Sequence, residues 1–133
     1  MISSVISHLS ALVLAVAGAA LLFASDVVLP SIVPGLTASA AWLGQLLGAA
    51  WLGVAGLNWL SRRATLGGVY GRPVVLANFA LYVISALSLV RVLDNGMAQL
   101  WLWPAFIVSA AFALSYGALL LRGPLGKGTR AAN

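Results

Sequence analysis

The stretch Ala41-Trp42-Leu43-Gly44-Gln45-Leu46-Leu47-Gly48-Ala49-Ala50-Trp51-Leu52-Gly53-Val54-Ala55-Gly56-Leu57-Asn58-Trp59-Leu60-Ser61-Arg62-Arg63 decides the fold. From Ala41 to Leu60 it carries no charged side chain, and it stops at a serine followed by two arginines. A helix needs roughly 20 predominantly apolar residues to cross a hydrocarbon core of about 30 Å, and this run meets that length. Apolar and polar residues do not alternate along it, and it is too long for a barrel strand of roughly 10 residues. It reads as a membrane-spanning helix from about Ala38 to Leu60.

On the N-terminal side a second apolar run extends from about Val5 to Leu29. It is expected to stop at Pro30-Ser31-Ile32-Val33-Pro34-Gly35, where two prolines and a glycine oppose helix continuation. Met1 to Leu9 lacks a basic n-region and the run exceeds a typical h-region, so it is read as a retained helix rather than a signal peptide. After Arg63 comes the link Ala64-Thr65-Leu66-Gly67-Gly68-Val69-Tyr70-Gly71-Arg72, and Pro73 suits the first turn of a third helix. That span reaches Leu93, Asp94-Asn95-Gly96 signals a turn, and a fourth span runs from about Ala98 to Leu121. The expected fold is all-α: an antiparallel bundle of four transmembrane helices forming one domain over 1–122, with a basic, glycine-rich tail at 123–133.

Composition agrees with this partition. Of 133 residues 62% are hydrophobic and only 7% charged, and the mean hydropathy is +1.07. Soluble domains carry roughly a quarter charged residues. Four spans leave no room for a separate soluble domain. With no cysteine, disulfides, thiol nucleophiles and thiolate metal sites are excluded. The net charge of +5 does not mark a nucleic-acid binder, because the basic residues sit at span ends rather than clustered with aromatics on a soluble face.

Those basic residues set a direction. Arg62, Arg63 and Arg72 fall in the second connection and Arg122, Lys127 and Arg130 at the C-terminal end, with Arg91 alone on the opposite side. Positive residues stay on the cytoplasmic side, so both termini are expected in the cytoplasm. Both acids, Asp26 and Asp94, then lie on the outer side.

Helical spacing suggests which faces turn inward. In the first span Ser4, His8, Ala11, Ala15, Ala19, Leu22 and Asp26 share one face, and its small residues suit close packing in lipid. The third span aligns Asn78, Tyr82 and Ser85, and the fourth aligns Ala105, Ser109, Ala113 and Gly117 with Tyr116 beside them. In the second, Gly44 and Gly48 form a small-xxx-small pair, with Gly53 and Gly56 further along. Glycine on two sides of one helix points to partners on both, within the bundle or in an oligomer. Trp42, Trp59, Trp101 and Trp103 fit interfacial belts, whereas Trp51 falls near mid-membrane.

The order of Gly18-Ala19-Ala20-Leu21-Leu22-Phe23-Ala24, Leu47-Gly48-Ala49-Ala50, Leu57-Asn58-Trp59-Leu60-Ser61-Arg62, Tyr70-Gly71-Arg72 and Leu76-Ala77-Asn78 resembles small four-helix bacterial membrane proteins of the domain-of-unknown-function type. These are distantly similar to DoxX-like proteins. The resemblance implies a fold and a membrane address. DoxX-like proteins are linked to quinone and redox chemistry, but no motif carries a functional residue to this chain.

Two polar groups are candidates for chemistry. Antiparallel threading would bring His8, Asn58, Asn78, Tyr82, Ser115 and Tyr116 towards one leaflet, as a site for a headgroup, a quinone oxygen or a solute. The plainer reading, which we prefer, is interhelical hydrogen bonding worth roughly 0.6 kcal/mol per bond. His8 alone is no metal site, which wants several ligands. On the other side Asp26, Arg91 and Asp94 are read as an ion pair or short network that anchors the helix ends, in preference to a gate or proton site. Arg62, Arg63 and Arg72 suit anionic lipid, though topology marking suffices for them. Gly67 to Gly71 is too short for a phosphate loop and lacks its lysine. One histidine and two boundary acids leave little for general acid–base work. The expected function is therefore non-enzymatic, without metal or cofactor: an accessory subunit or small homo-oligomer in the lipid bilayer, with a lipid, quinone or solute carrier as the alternative.

Overall fold

The apolar runs are helical in the computed structural model, which describes residues 2–33, 35–36, 38–61, 71–94 and 102–122. Helix α1 covers Ile2–Ile32, α2 Ala41–Leu60, α3 Arg72–Asp94 and α4 Leu102–Arg122, and a single 3-10 turn at Ala38–Ala40 leads into α2. No strand occurs among the described residues. Each of the four helices is long and apolar enough to cross a membrane. Their outward side chains include Phe23, Leu60, Leu114 and Leu121, all more than three-quarters exposed. Water would penalise that surface and hydrocarbon would not, so the chain is a multi-pass membrane protein. The first part of the expected fourth span, 98–101, lies outside the described residues, as do Arg62, Arg63, the link from Gly67 to Tyr70, Trp101 and the tail at 123–133.

The chain divides into two compact units, Met1–Arg62 and Arg63–Asn133, each carrying one helical hairpin. In the first, α1 and α2 run antiparallel: Ser10 meets Asn58, Gly18 meets Gly48, and Ser25 meets Gly44. Along α1 the buried residues Ser7, Ala11, Leu14, Gly18, Leu21 and Ser25 alternate steps of four and three, the spacing of a supercoiled helix seam. The expected inward face of α1 is therefore corrected. Its members His8, Ala15, Ala19, Leu22 and Asp26 each stand one residue past the true seam, about 100° around the helix.

Close approach at Gly18 fixes that rotation. A Cβ on Gly48 would stand 2.6 Å from the Gly18 carbonyl oxygen and 2.8 Å from the Leu22 amide nitrogen, and one on Gly18 would stand 2.9 Å from the Gly48 carbonyl oxygen. Only a hydrogen fits at either position, so the two backbones touch there. With no hydrophobic drive between helices in lipid, such backbone contact is a principal source of attraction. Placing Ala19 at the crossing instead would hold the helices apart.

Helix α1 ends at Ile32, inside the expected stop from Pro30 to Gly35, and Pro30 itself is accommodated in the last turn. Proline removes one donor, the N–H that would reach the Asp26 carbonyl. The Val33 amide still donates to the Leu29 carbonyl at 2.8 Å, which closes the last turn without it. Six residues earlier, at Ala24, the backbone leaves helical geometry (φ −133°, ψ 29°). Beyond α1 the Leu36 amide donates to the Val33 carbonyl at 3.1 Å, and Gly35 within this turn has φ 92°. That positive φ is what the third position of a type II turn demands, and glycine supplies it without strain.

In the second unit Gly71 presents its carbonyl to the Val75 amide at 3.1 Å, which starts α3 with Pro73 in the first turn. Helices α3 and α4 are antiparallel, since Phe79 packs on Gly117 while Tyr82 packs on Phe112 and Tyr116. Val74, Val75, Asn78 and Tyr82 are buried on α3, and Leu102, Ala113 and Tyr116 on α4. Tyr116, expected at the edge of the α4 strip, is its most buried side chain at 0% exposure.

Candidate functional site

The buried polar residues of each hairpin, Ser25 apart, lie near the end where its middle-of-chain connection begins. In the first unit the seam of α1 opens with Ser7 and Ser10, both buried, and α2 places Asn58 opposite them. The Asn58 side-chain amide donates to Ser10 Oγ at 2.9 Å, and Asn58 is fully buried. This bond ties the two helices together where lipid would leave both groups unsatisfied. Ser7 Oγ, one turn earlier on the seam, is buried and makes no hydrogen bond among the described residues.

His8 lies outside this seam and is exposed. Its Nδ1 stands 2.6 Å from the Ser4 carbonyl oxygen, and its ring meets the Trp59 ring edge-on, with centroids 5.6 Å apart and planes at 76°. A carbonyl only accepts, so Nδ1 carries the hydrogen of this bond. In the neutral ring Nε2 is then an acceptor. Trp59 also borders an open, almost wholly apolar groove of about 340 Å³ between α1 and α2.

In the second unit Asn78 is fully buried and its amide donates to its own helix, to the Val74 carbonyl at 2.8 Å. Tyr82 lies between Phe112, at a centroid distance of 4.8 Å and 22° between planes, and Tyr116, at 6.0 Å and 10°. Ser115 donates to the Ala111 carbonyl at 2.7 Å, the back-bond by which a helical serine satisfies itself in an apolar medium. The tyrosine stack is an aromatic seam between α3 and α4, with geometry worth about 0.5–1.5 kcal/mol beyond burial.

The expected site residues thus fall into distinct settings. Asn58 on one hairpin, and Asn78, Tyr82 and Tyr116 on the other, are seam residues, while His8 faces outward. Asp26 is exposed on α1 just past the Ala24 irregularity, and Arg91 and Asp94 are exposed in the last turn of α3. Gly44 and Gly48 are buried against α1, whereas a Cβ on Gly53 or Gly56 would meet nothing within 4 Å. Ser7 and Ser10 were missed as site residues. For Ser7 the signal was the step to Ala11, Leu14, Gly18, Leu21 and Ser25, a regular seam, and Ser10 lies beside Ala11 on its border. No family model, curated protein or solved structure matches the chain.

Proposed function

We propose that the chain is a non-enzymatic protein of the bacterial cytoplasmic membrane, with both ends in the cytoplasm, that serves as an accessory subunit or small homo-oligomer packed against other membrane proteins. The observation that carries this reading is the second glycine side of α2. Gly53 lies nine residues beyond Gly44, about two and a half turns, and so on the opposite face from the glycines that α1 covers. Ala49, Gly53 and Gly56 are exposed there, spaced by four and three residues. In lipid, small residues at this spacing let another helix approach to backbone contact. The cytoplasmic placement of both ends rests on the six basic residues of the second connection and C-terminal end against Arg91.

Native mass measurement after mild extraction, combined with crosslinking, tests the proposal. An oligomer or heteromer is expected, and Gly53→Leu should dissociate it by blocking close approach. A lone monomer that yields no crosslinked partner would refute the reading. The carrier alternative, built on Asn58, Asn78 and Tyr116, has less support, because Asn58 and Asn78 both direct amide hydrogens to protein acceptors.

A further inference from the structure

Three carboxamides lie within the four helices, and one of them is unlike the others. Asn58 and Asn78 are fully buried, and their amides donate to protein acceptors. Gln45 on α2 is exposed and makes no hydrogen bond among the described residues. Helix α2 has 20 residues, which gives it a length of about 30 Å, the thickness of the hydrocarbon core with none to spare. Gln45 is its fifth residue and so lies about 6 Å inside that core. A carboxamide at this depth brings two N–H donors and a carbonyl into a medium that satisfies none of them. Gln45, Ala49, Gly53 and Gly56 follow at steps of four, four and three, so they form one exposed stripe, about 100° round the helix from Gly44 at the Gln45 end. We propose that a second copy of this chain covers the stripe, with the two α2 helices parallel about a two-fold axis along the membrane normal and the two Gln45 side chains hydrogen-bonded to each other. The inference rests on the oligomer reading above and names its partner. Copies of one chain share one orientation in the membrane, so two-fold symmetry sets Gln45 against Gln45 at equal depth. A carboxamide both donates and accepts, and is therefore complementary to itself. An acyl chain offers it nothing, and a helix of different sequence would need its own donor and acceptor at this level. Ala49, Gly53 and Gly56 have no bulk to hold the backbones apart, and a Cβ on either glycine meets nothing within 4 Å, which lets the carboxamides come within reach.

The test is self-association of the purified full chain in phosphatidylcholine vesicles, read by energy transfer between donor- and acceptor-labelled copies over a range of protein-to-lipid ratios. A single cysteine introduced by Thr129→Cys carries either label. With no other protein present, transfer should rise above the level of random proximity as the protein becomes denser. Gln45→Leu should weaken association about tenfold, the worth of two interhelical hydrogen bonds. The fold of the hairpin is not at stake in this variant, since Gln45 is exposed and unbonded within it. Gln45→Asn keeps a carboxamide and should fall between the two. Leu43→Ala, an exposed position on the other side of α2, should change nothing. Association that Gln45→Leu leaves unchanged would overturn the proposal while the oligomer reading held. A chain that is monomeric in vesicles but crosslinks to a different protein in cells would overturn it too, and would leave the accessory-subunit reading standing. A monomer that crosslinks to nothing would refute both.

Discussion

Gly48→Ala is the substitution whose consequence follows most directly from the geometry. The added methyl would lie 2.6 Å from the Gly18 carbonyl oxygen, 2.8 Å from the Leu22 amide nitrogen and 3.1 Å from the Leu21 Cβ. The two nearest atoms are backbone, so no side-chain rotation relieves the clash, and α1 must move away. Overpacking of this kind costs about 1–3 kcal/mol. Alanine is favoured over glycine in a helix by about 1 kcal/mol, which offsets part of the loss. The net expectation is destabilisation by up to about 2 kcal/mol. Gly53→Ala receives the same propensity gain with nothing in the way and should be neutral or stabilising by up to about 1 kcal/mol. The propensity gain is common to both, so the pair should differ by about 1–3 kcal/mol, the cost of the overpacking alone. Reversible unfolding of the monomer in mixed micelles, titrated with SDS and followed by far-UV circular dichroism, measures the difference. Equal stability of the two variants would refute the backbone contact and, with it, the assigned rotation of α1.

Three further substitutions probe the polar and aromatic seams by the same assay. Asn58→Leu should destabilise by about 1 kcal/mol, since it removes the bond to Ser10 and leaves a buried hydroxyl behind; in the Ser10→Ala background the same change should cost clearly less. Ser7→Ala should be neutral or slightly stabilising, because the hydroxyl it removes is buried without a hydrogen bond among the described residues. Tyr82→Leu should cost about 0.5–1.5 kcal/mol beyond the loss of burial through the stacks on Phe112 and Tyr116, and a Phe at this position should restore the stacking share.

The spans were legible in the sequence because lipid imposes a length on an apolar run, and Ser61-Arg62-Arg63 and Asp94-Asn95-Gly96 interrupt those runs abruptly. The rotation of α1 was not legible in the same way. A helix that is apolar nearly all round gives the hydrophobic pattern no preferred side, so the face is chosen by which small residue permits backbone contact. Ala15 and Ala19 outnumber Gly18, and counting them led to a face about 100° from the real one, although Ala11 lies on the seam itself. The glycine pair Gly44 and Gly48 on α2 stood out by spacing, but the complementary position, Gly18, is a single residue and becomes visible only when its partner is known. Among polar residues, Asn58, Asn78 and Tyr82 could be recognised as inward because lipid penalises their exposure. Ser10 could not be paired with Asn58 from sequence, since a serine can satisfy itself on its own helix, as Ser115 does. Pro30 shows the limit of a breaker signal: near a helix end one lost donor is tolerated when the next amide still finds its carbonyl.

The central claim is that the chain crosses the membrane four times, and the absence of cysteine makes it directly measurable. Single-cysteine variants Leu36→Cys, Thr65→Cys, Asn95→Cys and Thr129→Cys sample the three connections and the tail. In intact cells a membrane-impermeant maleimide should label Leu36→Cys and Asn95→Cys, and should reach Thr65→Cys and Thr129→Cys only after permeabilisation. Labelling of Leu36→Cys and Thr65→Cys from the same side would show that α2 does not cross, and would contradict the account.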